Sequence, residues 1–114
     1  MTANKNRRRH PRLEIDLPVE IEYQGQASDA CRMLNFSRGG VYLLCQDEAF
    51  QNRLPEGYFP AHERQMLLLS VPSESMQVQV NLVYSHKGGL GFAYSDERGE
   101  QLFDSLYAKH KITD

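Results

Sequence analysis

Met76-Gln77-Val78-Gln79-Val80-Asn81-Leu82-Val83-Tyr84 alternates with a period of two: Met76, Val78, Val80, Leu82 and Tyr84 fall on one face, and Gln77, Gln79 and Asn81 on the other. An extended chain sends successive side chains to opposite sides of a sheet, so this stretch predicts a strand with one face on a core. Working outward, Lys87-Gly88-Gly89 supplies a tight turn, and residues 90–94 return as its partner strand. Residues 65–71 read as a buried strand. Near the N-terminus, residues 17–23 alternate again, with Val19, Ile21 and Tyr23 opposed to Glu20 and Glu22, until Gln24-Gly25-Gln26 ends the run. Residues 30–36 and 41–45 read as two further strands joined through Ser37-Arg38-Gly39-Gly40.

Residues 46–64 carry little period. Pro55, Gly57 and Pro60 punctuate them, and the expectation is a long loop with one helical turn, anchored by Phe50, Tyr58 and Phe59. After Ser95-Asp96 the period changes. Leu102, Phe103, Leu106 and Tyr107 recur at helical spacing, which predicts an amphipathic helix over about residues 98–110 laid against the sheet. About six strands without long crossovers imply antiparallel pairing, and closure into a barrel would remove the exposed edges. The fold class is therefore mainly β: a small antiparallel barrel with a C-terminal α-helix.

A chain of 114 residues is one domain and buries a modest core without staples. Residues 1–6 are polar and read as disordered. Residues 7–114 form the domain, including a flexible basic arm at 7–12. No apolar run approaches the length of a membrane span, and no apolar segment follows the N-terminal basic residues as in a secretory signal. The expectation is a cytoplasmic protein with no membrane partner. The net charge of −2 hides an asymmetry: Lys5, Arg7, Arg8, Arg9 and Arg12 stand in the first 12 residues without an acid, while the rest holds 8 basic and 15 acidic residues. An acidic body disfavours wrapping a long nucleic acid, whereas a small anionic ligand needs only a local basic patch.

Nothing in the chain proposes catalysis. His10, His62, His86 and His110 are scattered, with no paired metal-ligand spacing, and Ser37 has no base nearby in the sequence. The reading is no enzyme, no metal and no cofactor. Cys31 and Cys45 match no metal motif. They fall near opposite ends of the hairpin around residues 35–40, so a disulfide is geometrically open to them, and two buried thiols are the reading a reducing cytosol favours.

Two segments carry ligand chemistry. The first is Arg7-Arg8-Arg9-His10-Pro11-Arg12. Arginine presents a planar, permanently charged fork that grips phosphate or the O6/N7 edge of guanine and stacks on bases. Pro11 holds the arm extended. The second is Asn35-Phe36-Ser37-Arg38-Gly39-Gly40, where short hydrogen-bonding groups and glycines let a ligand approach the backbone. Arg8-Arg9-His10-Pro11-Arg12 fits an RxxxR pattern and Asn35 to Gly40 a (D/N)xSxxG pattern. In this order, about two dozen residues apart, each followed by strand-like sequence, the pair resembles the motifs of PilZ domains over roughly residues 7 to 108.

The resemblance implies a small β-barrel that binds the bacterial second messenger cyclic di-GMP. It implies Arg8 and Arg12 as the grip on guanine and phosphate, with Arg7 and Arg9 as further candidates. Arg7 precedes the first motif arginine, at the position that in such domains bears on whether one or two dinucleotides bind; its long side chain leans towards two. Asn35 would accept guanine N–H groups, without the charge an aspartate would add. Ser37 would touch ligand or simply close its turn, Arg38 would reach phosphate or stand in solvent, and Gly40 is a backbone requirement under either reading. With no output domain in sight, such a protein would act as a ligand-switched adaptor on an unidentified effector protein, through the C-terminal helix or the 46–64 loop. The alternatives are a small barrel binding RNA or single-stranded DNA, against which stands the absence of aromatics spaced along one strand face, and a protein adaptor whose motifs are vestigial.

Overall fold

A computed structural model of the protein describes residues 11–110. The polar N-terminus and Arg7, Arg8 and Arg9 of the arm lie outside the described residues, and so does the expectation that they are disordered until ligand arrives.

The chain forms β1 (Leu13–Tyr23), β2 (Gln26–Phe36), β3 (Gly40–Cys45), a one-turn helix α1 (Glu48–Gln51), a two-residue strand β4 (Gly57–Tyr58), β5 (Met66–Val71), β6 (Met76–His86), β7 (Gly89–Tyr94) and α2 (Arg98–Lys109). All pairings are antiparallel. Strand order is β6-β5-β1-β2-β3-β7, and β7 pairs back to β6, so six strands close into a barrel; β4 pairs with the C-terminal end of β6, beyond the stretch that β5 covers. Closure gives every barrel strand a neighbour on both sides, although β1 meets β5 only over Glu20, Ile21 and Glu22.

The period-two pattern works as read. Ile21, Met33, Leu43, Leu69, Val80 and Leu82 point inward and are wholly buried. The strands begin earlier than their apolar alternation does: β1 starts at Leu13 and β2 at Gln26, because backbone pairing across the hairpin continues through polar residues. At the β6–β7 hairpin, Lys87 and Gly88 both take positive φ (49° and 89°), the backbone twist that suits a two-residue connection. A side chain at Gly88 would also meet the Cys45 carbonyl.

Cys31 lies directly opposite Cys45 in the β2–β3 register, and both are buried free thiols. The neighbouring bond from Gln46 N–H to the Ala30 carbonyl (2.8 Å) makes this a non-hydrogen-bonded pair, where side chains come closest. The hydrogen bond shared with Cys45, together with burial, pushes the Cys31 thiol pKa up.

Helix α2 buries Leu102, Phe103 and Leu106 against the barrel. Tyr107, expected on that stripe, stands at its edge, exposed and stacked on Phe103 with centroids 5.7 Å apart. The far end of α2 is tethered by Glu74, whose side chain is 1% exposed. Ser105 and Ser73 donate hydroxyl hydrogen bonds to its carboxylate, and Lys109 Nζ lies 3.4 Å away. Burial opposes ionisation of Glu74, but the two hydroxyls and the lysine outweigh it and hold its pKa below the ordinary value of 4.5. A carboxyl depressed in the folded state contributes stability above the unfolded value and loses it as pH falls through the folded one. Glu74→Gln is therefore expected to cost about 1 kcal/mol at pH 7, with the difference from wild type shrinking below pH 4.5, as urea melts across pH 3–7 would read.

Candidate functional site

The register of β1 on β2 brings Arg12, the described end of the first motif segment, to the second segment. Leu13, the residue after Arg12, pairs with Phe36, the residue after Asn35. Arg12, the last residue of the basic arm, thus stands beside the polar turn. Arg12, Asn35, Ser37, Gly39 and Gly40 line one cavity of about 550 Å³, in the size range of small-molecule sites.

Two β-bulges shape its floor. Between Met33 and Asn35, β2 carries one residue more than its partner β3, and β6 does the same between Leu82 and Tyr84 against β7. An extra residue reverses which face the following side chain takes. This corrects the reading of Tyr84 as the last member of the apolar face: Leu82 is buried, but Tyr84 is 39% exposed and lines the cavity. The bulges also put five residues opposite one another across five strands. Asn35 pairs with Tyr42, Tyr42 with Gly91, Gly91 with Tyr84, and Tyr84 with Tyr58. All five line the cavity. The tyrosines are not spaced along one strand, as the sequence indicates, yet they gather across neighbouring strands on one outer face. Tyr58 is likewise no loop anchor. Pairing of β4 with β6 turns its ring outward at 71% exposure, while Phe50 is buried and Phe59 packs against the core.

Ser37 is the organiser of its turn. Its hydroxyl accepts the backbone N–H groups of Gly39 (3.1 Å) and Gly40 (3.2 Å), and its own N–H donates to the Gly40 carbonyl (2.8 Å). Gly40 sits against β7 so closely that a Cβ would fall 1.8 Å from the Phe92 carbonyl oxygen. Arg38 turns away to α2: its guanidinium lies 4.4 Å from the centre of the Phe103 ring and 3.7 Å from Asp104. Tyr94 adds a second link, donating its hydroxyl to the Ser37 carbonyl (3.1 Å) while its ring packs on Gly99 of α2. Burial raises the Tyr94 pKa, so the phenol stays a donor at neutral pH. The turn that lines the cavity is thus joined to the helix at two places. Sequence reasoning missed Tyr42, Tyr58, Tyr84 and both links. Only the place of Tyr58 between Pro55, Gly57 and Pro60 in the long loop could have hinted at one of them.

Among the described residues no helix is long and apolar enough to cross a membrane. None of the curated proteins matches the chain. Its fold is similar to the PilZ domain of CeSA from a cellulose-synthesising bacterium, at 14% identity and a TM-score of 0.56, covering 89% of this chain and 96% of that one. It is also similar to an uncharacterised Legionella protein, at 11% identity and a TM-score of 0.52, covering 90% and 99%. The family model described as the PilZ domain matches residues 6–108. That span takes in the arginine arm, the turn, the closed barrel and nearly all of α2, and the chain belongs to the PilZ domain family.

Proposed function

We propose that the protein is a receptor for cyclic di-GMP, the ligand for which its family is known, and that it works as a ligand-switched adaptor rather than an enzyme. The observation that carries this reading is the β1–β2 register, with Leu13 opposite Phe36, because it joins Arg12 and Asn35 at one cavity. In this reading Arg8 and Arg12 grip guanine and phosphate, assisted by Arg7 and Arg9. Asn35 accepts from a guanine edge, and the Ser37–Gly40 turn lets the ligand approach the backbone. The contacts of Arg38 with Phe103 and Asp104, and of Tyr94 with Ser37, support α2 as the route by which an occupied site is felt by an effector protein.

A second reading draws on the row of tyrosines, since exposed aromatic side chains beside a basic arm also suit single-stranded nucleic acid. The acidic body weighs against it.

Calorimetric titration with cyclic di-GMP, GTP and a short oligonucleotide side by side tests both. Cyclic di-GMP is expected to bind in the micromolar range or tighter, roughly −8 kcal/mol or better, with GTP much weaker. The stoichiometry reads one or two dinucleotides per chain. Heat no different from buffer for folded protein rejects the receptor reading, and heat from the oligonucleotide alone selects the second.

A further inference from the structure

The exposed large apolar side chains among the described residues are Tyr58, Met66, Tyr84 and Tyr107, and two of these, Tyr58 and Tyr84, line the cavity beside Arg12 and Asn35. Tyr58 is the most exposed of the four, and the strand that carries it has two residues. That strand takes no part in closing the barrel. It pairs with β6 alone, Gly57 opposite Ser85 and Tyr58 opposite Tyr84. The backbone just beyond it is held firmly: Phe59 N–H donates to the Val83 carbonyl at the β6 bulge (2.8 Å), its side chain packs on the core, and Arg64 Nε donates to its carbonyl (3.0 Å). A fixed backbone thus holds a free aromatic ring at the rim of a cavity. Among the described residues such a ring keeps most of its apolar area exposed, and its place on a cavity lining, rather than its exposure alone, points to a ligand.

The position of Tyr58 in the cross-strand row says what kind of ligand group it meets. At the far end of the row stands Asn35, next to Arg12. In the middle Gly91 has no side chain, which leaves open the space between Tyr42 and Tyr84. Four inter-strand steps at about 4.8 Å make the row roughly 19 Å long, more than a single nucleotide fills. Resting on the reading of this cavity as a cyclic di-GMP site, we propose that Tyr58 is a ligand-contacting residue whose ring closes over a purine base at the end of the row remote from Asn35. The phenol supplies a π face and apolar area, so its ring matters and its hydroxyl does not.

The chain contains no tryptophan, so Tyr58→Trp installs a single fluorescent reporter at this position. Tyr58→Ala is expected to weaken cyclic di-GMP binding on the order of tenfold, and Tyr58→Phe to stay within about threefold of wild type. Emission of the Tyr58→Trp variant is expected to be quenched as cyclic di-GMP saturates it. Wild-type binding that Tyr58→Ala leaves unaltered overturns this inference alone, and so does tryptophan emission that stays constant while calorimetry reports saturation. A Tyr58→Ala melting temperature far below wild type, with Tyr58→Phe binding also lost, assigns the residue to the fold and overturns it too. Absence of any wild-type heat with cyclic di-GMP overturns the receptor reading and this inference with it.

Discussion

Arg12→Ala is expected to weaken cyclic di-GMP binding by about 2–4 kcal/mol, roughly 30- to 1,000-fold, while shifting the melting temperature little. The asymmetry follows from where the residue sits. Arg12 is exposed, just before the first residue of β1, so its removal leaves the closed barrel and its core intact. Its side chain faces the cavity beside Asn35. A guanidinium fork there would meet an anionic ligand through charge-assisted hydrogen bonds, which are about twice as strong as neutral ones, and its loss would leave ligand charge unpaired. Lysine restores the charge without the planar fork, so Arg12→Lys should recover only part of the affinity. Calorimetry and thermal melting on the same samples check both halves. Undiminished affinity would take Arg12 out of the site, and a collapsed melting temperature would make it a structural residue.

Gly40→Ala is expected to do the reverse and damage the fold first. The added methyl would lie 1.8 Å from the Phe92 carbonyl oxygen and 2.9 Å from the Phe92 carbonyl carbon, both backbone atoms that no rotamer change can move. Relief requires β3 to draw away from β7, where Gly40 pairs with Ala93 and Val41 with Phe92. That pairing is part of the ring that closes the barrel. A cost of about 3 kcal/mol or more follows, which for a domain of this size lowers the melting temperature by about 10 °C or more. Ligand affinity should fall as a consequence, because the Gly40 N–H and carbonyl both hold the Ser37 turn. A Gly40→Ala protein that melts like wild type would show that the β3–β7 contact is not as close as described. Together the two variants separate the site from its scaffold: one loses ligand with the fold kept, the other loses the fold and the ligand with it.

Much of this was legible in the residues. Alternation at 76–84 and 17–23, glycine turns at Gly25 and Gly88, and the change to helical spacing after Ser95 are local signals, and each element they predict is present. The same local character explains the misplacements. Tyr84 continues the alternation perfectly, yet one extra residue in β6 turns it to the outer face. Tyr58 looks like an aromatic anchor in a loop, yet a two-residue pairing with β6 points it to solvent while Phe59 goes inward. Arg38 stands between ligand-motif residues and could be read as a phosphate contact, but the nearest partners are Phe103 and Asp104, some 65 residues further along the chain.

The sequence by itself determined the six barrel strands, the C-terminal helix, their order, most of the apolar faces that make the core, and the two polar segments read as carrying ligand chemistry, but not β4. These depend on the period of side chains along a few residues and on the backbone freedom of single positions, both of which are written locally. Only the tertiary structure decided that β7 bridges β3 and β6, that Leu13 sits opposite Phe36, and that Asn35, Tyr42, Gly91, Tyr84 and Tyr58 form one row. Register and bulges are set by the fit of whole strands against their neighbours. A shift of one residue moves every following side chain to the other face, so the composition of a strand does not reveal which partner its residues will meet.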